Sequence, residues 1–364
     1  MDPVKVGVSE ARQACCFEVG RADLSLTRVT GAELGPPGPG EALFEVERFG
    51  FSANNVTYAL LGEALRYWDL FPAEPGWGRI PVWGYLRVLA SAVPGLAPGR
   101  RASGLCPMAT HVLLRPHRTG QAMFTERSPH RAGLSSVYNV YAWASTAHPA
   151  GPPEDDDVLV VLRPVFWLSF TLDDHLAQRP HPDQPVIVTS ASSKAALGLA
   201  HLLTRRGVPV TGLTSARHVP FVTRLAAYDQ VLGYDQVGSL IAGQATVVDI
   251  AGDAALRDAI ERHLDHRGEV VIAGGTHGEA EPLAAGAFSA PQRIRDRARE
   301  WGWPVLEQRY QAALRGFAAG AAAWLDIRRH HGLDEAACVY REVRTGASPP
   351  AAAHVVELAL SRPA

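Results

Sequence analysis

The sequence predicts an α/β protein of two domains, a β-rich domain followed by a doubly wound parallel sheet. The parallel sheet is indicated by the β-branched run Val186–Val188, which passes through small polar residues into an apolar helical pattern. Strand and helix patterns then alternate as far as residue 277, which is typical of parallel strands with helices on both faces. The β-rich domain is indicated by short strands and by turns rich in glycine and proline before residue 158.

The first domain is predicted from alternating hydrophobicity and from turn residues. Its expected strands cover residues 17–29, 42–48, 85–91 and 110–114. The stretch PAGPPEDDD, residues 149–157, has the proline, glycine and like charges of an exposed linker. Residues 158–176 then predict a helix that leads into the second domain.

The second domain is predicted as alternating strands and helices. Strands are expected at residues 186–188, 207–215, 229–234, 245–252 and 268–277, and helices at 195–203, 217–228 and 254–264. A basic helix around residues 293–299 is interpreted as a solvated face, because acidic residues interrupt its charges. A helical run is expected over residues 307–329, with His330 and His331 solvated at a helix, and a final strand in AHVVELALSRP.

Composition and charge exclude several classes of function. The chain has 364 residues, of which 47% are hydrophobic, and a net charge of -2, so nucleic acid and anionic membrane are not expected partners. The N-terminal residues lack the pattern of a secretory signal and no apolar run reaches about 20 residues, which predicts a cytoplasmic protein. The 4 cysteines are too scattered for a zinc knuckle and are expected to be reduced thiols. The expected partner is a small-molecule substrate.

The turn after residue 188 predicts a dinucleotide-binding site. Ser190, Ala191, Ser192 and Ser193 form a turn of small residues whose backbone a phosphate can approach, before a helix whose first amides would face the anion. Serines stand where a G-x-G-x-x-G pattern has its first two glycines. Lys194 begins the helix, where a positive charge is unfavourable without a bound anion, so it is a candidate phosphate ligand or else a solvent-facing lysine.

The end of the next strand favours NADP over NAD. A carboxylate usually holds the ribose hydroxyls of NAD at this point, but here the chain reads Thr214, Ser215 and Arg217. These residues suit a ribose phosphate, and the alternative is an ordinary helix N-cap. Tyr234, after the third strand, and Gly274, Gly275 and Thr276, after the fifth, complete the candidate cofactor-binding set. His277 is a further, weaker candidate.

The chain resembles the medium-chain dehydrogenase/reductase superfamily, on its zinc-free, quinone-oxidoreductase-like side. The motifs that carry the resemblance are GPGE with ALFEVERFGFSANN, then IPVWGYLRVLAS, VPGLAPGRRASG, VVDIAG, VVIAGG and the terminal VVEL. SANNVTYALLG, YWDLFP, GWGRIPVWG, PMAT and DDHL are similar to a branch catalogued as a domain of unknown function. The resemblance implies a GroES-like catalytic domain over residues 1–157, completed by 311–364, and a Rossmann-type domain over 158–310.

Zinc chemistry is disfavoured by two departures from the alcohol dehydrogenases of this superfamily. Trp83 and Gly84 occupy the strand in which those enzymes carry a G-H-E motif, and the cysteines of a structural zinc lobe are missing. No metal is therefore expected.

The segment over residues 54–83 is predicted to hold the substrate-binding and catalytic side chains. The resemblance implies polar pocket residues at Asn54, Asn55, Thr57 and Tyr58, and a proton-donating tyrosine in the neighbourhood of Tyr67. A phenol can donate a proton or bind an oxyanion, and Tyr58 and Tyr67 are interchangeable candidates beside Asn55. Trp68 and Trp83 would wall an aromatic cleft. The alternative is that these rings only pack the core.

The leading hypothesis is an NADPH-dependent, zinc-independent reductase of an enone, quinone or enoyl-type carbonyl compound. A non-redox lyase, isomerase or cyclase on the same fold is the alternative, motivated by the substituted glycine turn. A non-catalytic NADP-binding sensor is the third hypothesis. The resemblance also leads us to expect a homodimer, formed by extension of the parallel sheet.

Overall fold

The computed structural model describes residues 12–117, 120, 122–144, 153–241, 243–265, 268–273 and 288–358. These residues form two compact units that the chain enters more than once. The chain passes from the first unit to the second between Asp156 and Asp157, returns at Arg328, leaves again at Gly346 and returns at His354. The expected return at residue 311 therefore differs from the observed one, because the helix that spans residue 311 belongs to the second unit.

Strands dominate the described chain up to residue 143, and strands and helices are interspersed after it. The strands are β1 (Arg12–Gly20), β2 (Thr27–Leu34), β3 (Ala42–Phe51), β4 (Trp77–Gly78), β5 (Pro81–Ser91), β6 (Arg101–Pro107), β7 (His111–Leu114), β8 (Pro116–His117), β9 (Met123–Glu126), β10 (Val140–Trp143), β11 (Val186–Val188), β12 (Val210–Thr214), β13 (Gln230–Gly233), β14 (Thr246–Asp249), β15 (Glu269–Ile272), β16 (Asp326–His331) and β17 (Ala352–Glu357). The α-helices are α1 (Ala53–Leu60), α2 (Pro153–Leu176), α3 (Lys194–Arg205), α4 (Val219–Leu225), α5 (Ala254–His263), α6 (Ala290–Trp301), α7 (Trp303–Ala321) and α8 (Gly332–Arg344). Short 3-10 turns cover Tyr67–Asp69, Pro129–Arg131, Ser136–Asn139, Ala216–His218 and Tyr234–Ser239.

The first unit is built on antiparallel strands. A nine-stranded sheet has the order β16-β17-β3-β5-β6-β10-β9-β8, with β7 paired to β3, and a smaller sheet has the order β2-β1-β4. Aromatic side chains fill the core, and the rings of Phe17 and Tyr340 lie 5.4 Å apart. Glu18, buried in the small sheet, pairs with Arg28 at 2.7 Å and with Arg79 at 2.9 Å, so its charge is compensated.

The N-terminal strand prediction over residues 17–29 is wrong, because this stretch is a hairpin. The side chain of Asp23 accepts hydrogen bonds from the amide and hydroxyl of Ser25 at 2.8 and 2.6 Å, which closes a turn between β1 and β2. Aspartate and serine favour such local bonds over a continuous strand.

The second unit is an α/β domain with five parallel strands in the order β13-β12-β11-β14-β15. The predicted doubly wound sheet is confirmed. The central strand, Val186–Val188, is buried along its whole length and matches its predicted bounds. Helix α3 follows it and packs closely on α2, since a Cβ at Gly198 would lie 2.6 Å from the Ser169 hydroxyl oxygen.

Two helical predictions for the C-terminal third are corrected. The run expected to continue to residue 329 ends with α7 at Ala321, and His330 and His331 lie in strand β16. The arginine-rich helix α6 is not a solvated face throughout, because Arg293 and Arg297 both bind the carboxylate of Asp174 on α2, at 2.6 and 2.8 Å. Arg297 is buried. None of the helices in the described part of the chain combines the length and hydrophobicity that a bilayer crossing needs.

Candidate functional site

The carboxyl ends of β11 and β14 mark the point where the strand order of the second unit reverses. Ligands of open α/β sheets bind at such a point. A buried network joins the two strand ends. The Thr189 hydroxyl donates to Asp249 Oδ1 at 2.8 Å and accepts the amides of Ile250 and Ala251 at 2.9 and 3.0 Å. Asp249 also binds the Arg257 guanidinium at 2.8 Å, so this carboxylate is fully buried but paired.

The turn after β11 contains a left-handed backbone conformation that glycine would adopt without strain, but a serine stands there. Ser190 has a φ of 54°, in the left-handed region that strains a residue with a Cβ. Its amide donates to the Tyr234 hydroxyl at 3.2 Å, and Ser193 caps α3 by accepting the Ala196 amide at 3.2 Å. Ala191 packs directly on the backbone of Gly212, since a Cβ at Gly212 would lie 2.8 Å from the Ala191 Cβ.

Because Ser190 is strained, we expect Ser190→Gly to raise the free energy of unfolding by about 1 kcal/mol. Urea denaturation of the two proteins would measure the difference. Ser193→Gly is the matched control, which removes a capping hydroxyl and is expected to lower stability by a few tenths of a kcal/mol. Equal or lower stability of the Ser190→Gly protein would contradict the assignment of strain.

The first turn of α3 has backbone amides available to a ligand, whereas the ammonium of its Lys194 is engaged by backbone carbonyls. The amides of Lys194 and Ala195 make no hydrogen bond within the described residues, as is usual for the first turn of a helix. The Lys194 ammonium instead donates to the carbonyls of Pro350 and Ala352 at 3.2 and 2.6 Å. Burial lowers the pKa of this ammonium to about 8. Lys194 is thus neither solvent-facing nor without partners, and its role as a phosphate ligand stays a prediction.

Hydroxyl groups gather where β12 ends, beside the turn after β11. Thr214 donates to the Ser192 hydroxyl at 3.2 Å, and His218 Nδ1 lies 3.2 Å from the Ser192 and 3.1 Å from the Ser215 hydroxyl oxygens. Arg217 is exposed next to them, and its guanidinium reaches the Gly346 carbonyl at 3.4 Å. The structure thus brings together Ser192, Thr214 and Ser215, with Arg217 beside them in sequence.

His218 and the Asp249 network were missed by the sequence interpretation. His218 sits on a single turn of 3-10 helix, where no periodic pattern indicates a side-chain direction. An acidic residue at the end of the apolar run ATVVD was the available signal for Asp249, since a buried strand rarely carries an unpaired charge. The predicted ligands Gly274, Gly275 and Thr276, and His277, lie outside the described residues.

The residues at hand fit a phosphorylated dinucleotide. The free amides of α3 suit a diphosphate, because helix N-termini present N–H groups and a positive partial charge to an anion. At the end of β12 and in the turn after it, the chain carries the hydroxyls of Thr214 and Ser215, the guanidinium of Arg217 and the imidazole of His218, where a carboxylate would favour NAD. That donor set suits a ribose phosphate.

In the first unit, the candidate tyrosines form one aromatic cluster with Tyr138. The ring centroids of Tyr58 and Tyr67 lie 4.8 Å apart, and those of Tyr67 and Tyr138 lie 5.6 Å apart. The hydroxyls of Tyr67 and Tyr138 are 3.0 Å apart, and the Trp83 indole donates to the Tyr58 hydroxyl at 3.4 Å. We call Tyr58, Tyr67, Tyr138 and Trp83 the tyrosine cluster.

Burial acts on the pKa of two phenols of the tyrosine cluster, Tyr58 and Tyr67. It raises the pKa of Tyr58, against hydrogen bonds from Trp83 and Asn54 that lower it, and it raises the pKa of Tyr67. Each hydroxyl therefore holds its proton throughout the neutral range. Tyr138 was not predicted, because it lies about 70 positions away on an isolated 3-10 turn.

The other predicted site residues of the first unit hydrogen-bond or pack against residues of the same unit. Asn55 is buried, accepts the Ser52 amide at 2.9 Å and donates to the Pro81 carbonyl at 3.0 Å, so it caps α1 and ties it to β5. The Thr57 hydroxyl donates to the Ala53 carbonyl within α1. Trp68 is a buried core residue whose ring occupies the space that a Cβ at Gly62 or Gly78 would need. Asn54 reaches the Tyr58 hydroxyl.

Metal ligands do not gather among the residues that the structure describes. No group of three or more His, Cys, Asp and Glu side chains there could hold a metal ion.

Comparisons with known proteins concern nearly the whole chain. Residues 49–349 match a family described as "Protein of unknown function (DUF2855)". No curated protein matches the chain in sequence.

Solved structures match over nearly their full length at low identity. CurA from Vibrio vulnificus in complex with NADPH has a TM-score of 0.58 at 12% identity, over 95% of this chain and 99% of that chain. A thermostable alcohol dehydrogenase from Pyrobaculum aerophilum has a TM-score of 0.57 at 15% identity, over 95% and 100%. The yhdH oxidoreductase from Salmonella enterica in complex with NADP has a TM-score of 0.53 at 15% identity, over 95% and 100%. The fold is that of the medium-chain dehydrogenase/reductases.

Proposed function

Because the chain belongs to the DUF2855 family and has the medium-chain dehydrogenase/reductase fold, we propose that it is an NADPH-dependent, zinc-independent reductase. The proposed substrates are enones, quinones or enoyl-type carbonyl compounds. The observation that carries the proposal is the group of hydroxyls, imidazole and guanidinium at the end of β12, with no carboxylate on that strand end or on the 3-10 turn that follows.

The second unit is proposed to bind the coenzyme. The amides at the start of α3 would hold its diphosphate, and Thr214, Ser215 and Arg217 would hold its ribose phosphate. Bound NADPH supplies a hydride to an electron-poor carbon. Solved proteins of this fold carry NADPH or NADP, which supports the choice of coenzyme.

The tyrosine cluster is proposed to hold and supply the proton. A substrate that accepts hydride at carbon develops negative charge on its oxygen, which a phenol can bind or protonate. Burial raises the pKa of both Tyr58 and Tyr67, so these groups carry a proton at neutral pH. Trp83 and Asn54 fix the Tyr58 hydroxyl, and Tyr138 fixes that of Tyr67.

The proposal predicts that purified protein oxidises NADPH when an enone or quinone is added. We expect Tyr58→Phe or Tyr67→Phe to lower kcat by about a hundredfold or more, because a positioned proton donor contributes about 10²–10⁴ in rate. The dissociation constant for NADPH is expected to stay unchanged, since neither phenol belongs to the second unit. Stopped-flow absorbance and fluorescence titration measure the two quantities.

Tyr340→Phe is the matched control, because the Tyr340 hydroxyl donates to the Leu24 carbonyl and lies outside the tyrosine cluster. Its kcat is expected to match that of the wild type. Full activity of both cluster variants would refute the role of the phenols. Turnover of a substrate without loss of NADPH would favour the non-redox alternative, and NADPH binding without any turnover would favour a sensor.

A further inference from the structure

The first unit contains a cavity of about 230 Å³ that the proposed reductase chemistry does not use. Its walls come from β1, β2, the segment before β4, the segment from β6 to β7, and the residues after β9. Leu34, Leu70, Phe71 and Val112 give it apolar walls. None of the tyrosine-cluster residues lines it. The volume is below that of pockets for drug-sized molecules, so it suits a small ligand.

Arg131 lines this cavity with a guanidinium that lacks a carboxylate partner. Its side chain is 2% exposed, its Nε donates to the Leu70 carbonyl at 3.0 Å and its Nη1 to the Tyr141 hydroxyl at 3.2 Å. The guanidinium carbon lies 4.5 Å from the centre of the Phe71 ring. Its Nη2 has no hydrogen-bond partner, and no carboxylate of the described residues lies within 4.0 Å. A buried cation normally has an anionic partner.

Arg79 brings a second guanidinium to the same cavity. Among the described residues, Glu18 engages its Nε at 2.9 Å and no partner of its terminal nitrogens is found, and Glu18 is shared with Arg28. Glu18 therefore orients Arg79 while its terminal nitrogens stay available. Guanidinium groups with free donor edges are suited to binding a carboxylate with two hydrogen bonds.

Glu126 contributes a carboxylate to the cavity wall, and both of its oxygens accept hydrogen bonds from backbone amides. Its Oε2 accepts the Arg115 amide at 2.5 Å and its Oε1 accepts the Ser128 amide at 2.6 Å. It makes no ion pair with Arg131. Because Glu126 is engaged by backbone amides, the guanidinium edges of Arg131 and Arg79 stay available to an anionic ligand.

We propose that this cavity binds a small organic carboxylate, with the anionic group on Arg131 and Arg79 and an apolar body against Phe71 and Val112. The ligand class follows from two guanidinium groups and several apolar side chains that line the same cavity. The site is independent of the coenzyme site proposed above, because all of its lining residues belong to the first unit.

Benzoate is the probe, and benzamide is its neutral counterpart of the same shape. By calorimetry of the full chain, benzoate is expected to bind in the micromolar to millimolar range and benzamide at least about tenfold more weakly, since hydrogen bonds to a charged group are stronger than those between neutral groups. Arg79→Gln is expected to weaken benzoate binding by about tenfold or more. Ala32→Trp, which fills the cavity from β2 and leaves both arginines in place, is expected to abolish it.

Arg131 is buried in the first unit, so its replacement would also change the stability of the fold, and Arg79→Gln and Ala32→Trp are the deciding variants. Equal affinity for benzoate and benzamide, or unchanged benzoate binding in the Ala32→Trp protein, would overturn the proposal. Binding of inorganic phosphate with no binding of benzoate would also overturn it, because the apolar walls would then play no part. NADPH titration of the same samples separates this outcome from failure of the reductase proposal.

Discussion

Ser215→Asp is expected to lower the affinity for NADPH about a hundredfold and to raise the affinity for NADH. Ser215 follows β12, where a carboxylate would repel a ribose phosphate and accept hydrogen bonds from unmodified ribose hydroxyls. A hundredfold change corresponds to about 2.7 kcal/mol, which is the scale of one close charge interaction near a protein surface. Fluorescence titration with each coenzyme measures both constants.

Ser215→Asn is the matched control, because asparagine has the shape of aspartate without its charge. Its effect on NADPH is expected to be much smaller and its effect on NADH negligible. If Ser215→Asp and Ser215→Asn weakened NADPH equally, the loss would come from the contact with His218 at 3.1 Å and not from charge. If neither variant changed the affinity for either coenzyme, the ribose phosphate would bind elsewhere.

Asp249→Asn is expected to lower the free energy of unfolding by about 3 kcal/mol. The carboxylate is fully buried and binds Thr189, Gly252 and Arg257. Neutralising it leaves the Arg257 guanidinium without its anion, and breaking a buried ion pair costs about 3–5 kcal/mol. The lower end is expected because the Arg257 side chain is 22% exposed and can turn towards water. Denaturation in urea, followed by circular dichroism, measures the change.

Asp253→Asn, four residues further on, is the control for this substitution. Asp253 caps α5 by accepting the Leu256 amide at 3.0 Å, and asparagine is as good an N-cap as aspartate. Its stability is expected to stay within about 0.5 kcal/mol of the wild type. An equally small effect at Asp249 would mean that the network between β11 and β14 does not depend on the charge.

The parallel sheet was predictable because each of its strands is a short apolar run with a turn at its end. The bounds of Val186–Val188 were predicted correctly, and helix α3 was predicted to within two residues at either end. The β-rich unit was harder, since its order depends on pairing between distant strands. Helix α8 was not predicted, and its residues 332–344 follow directly on strand β16, most of which was expected to be helical.

The candidate site was predictable where it is formed by the ends of adjacent parallel strands. The Thr214 hydroxyl meets Ser192, and Ser215 shares the His218 imidazole with Ser192, because the carboxyl ends of adjacent parallel strands lie side by side. The partners of Lys194 were not predictable, because the carbonyls of Pro350 and Ala352 come from more than 150 positions away. Tyr138 was missed for the same reason.

Because the chain passes repeatedly between its two units, neither unit can be produced whole as one contiguous fragment. Residues 346–353 belong to the second unit and supply the carbonyls that bind the Lys194 ammonium. A fragment of residues 157–327 would lack these acceptors and would expose a lysine that the whole protein shelters. No single contiguous stretch of the gene encodes the second unit, so recombination that exchanged this unit would have to carry over residues 346–353 as well.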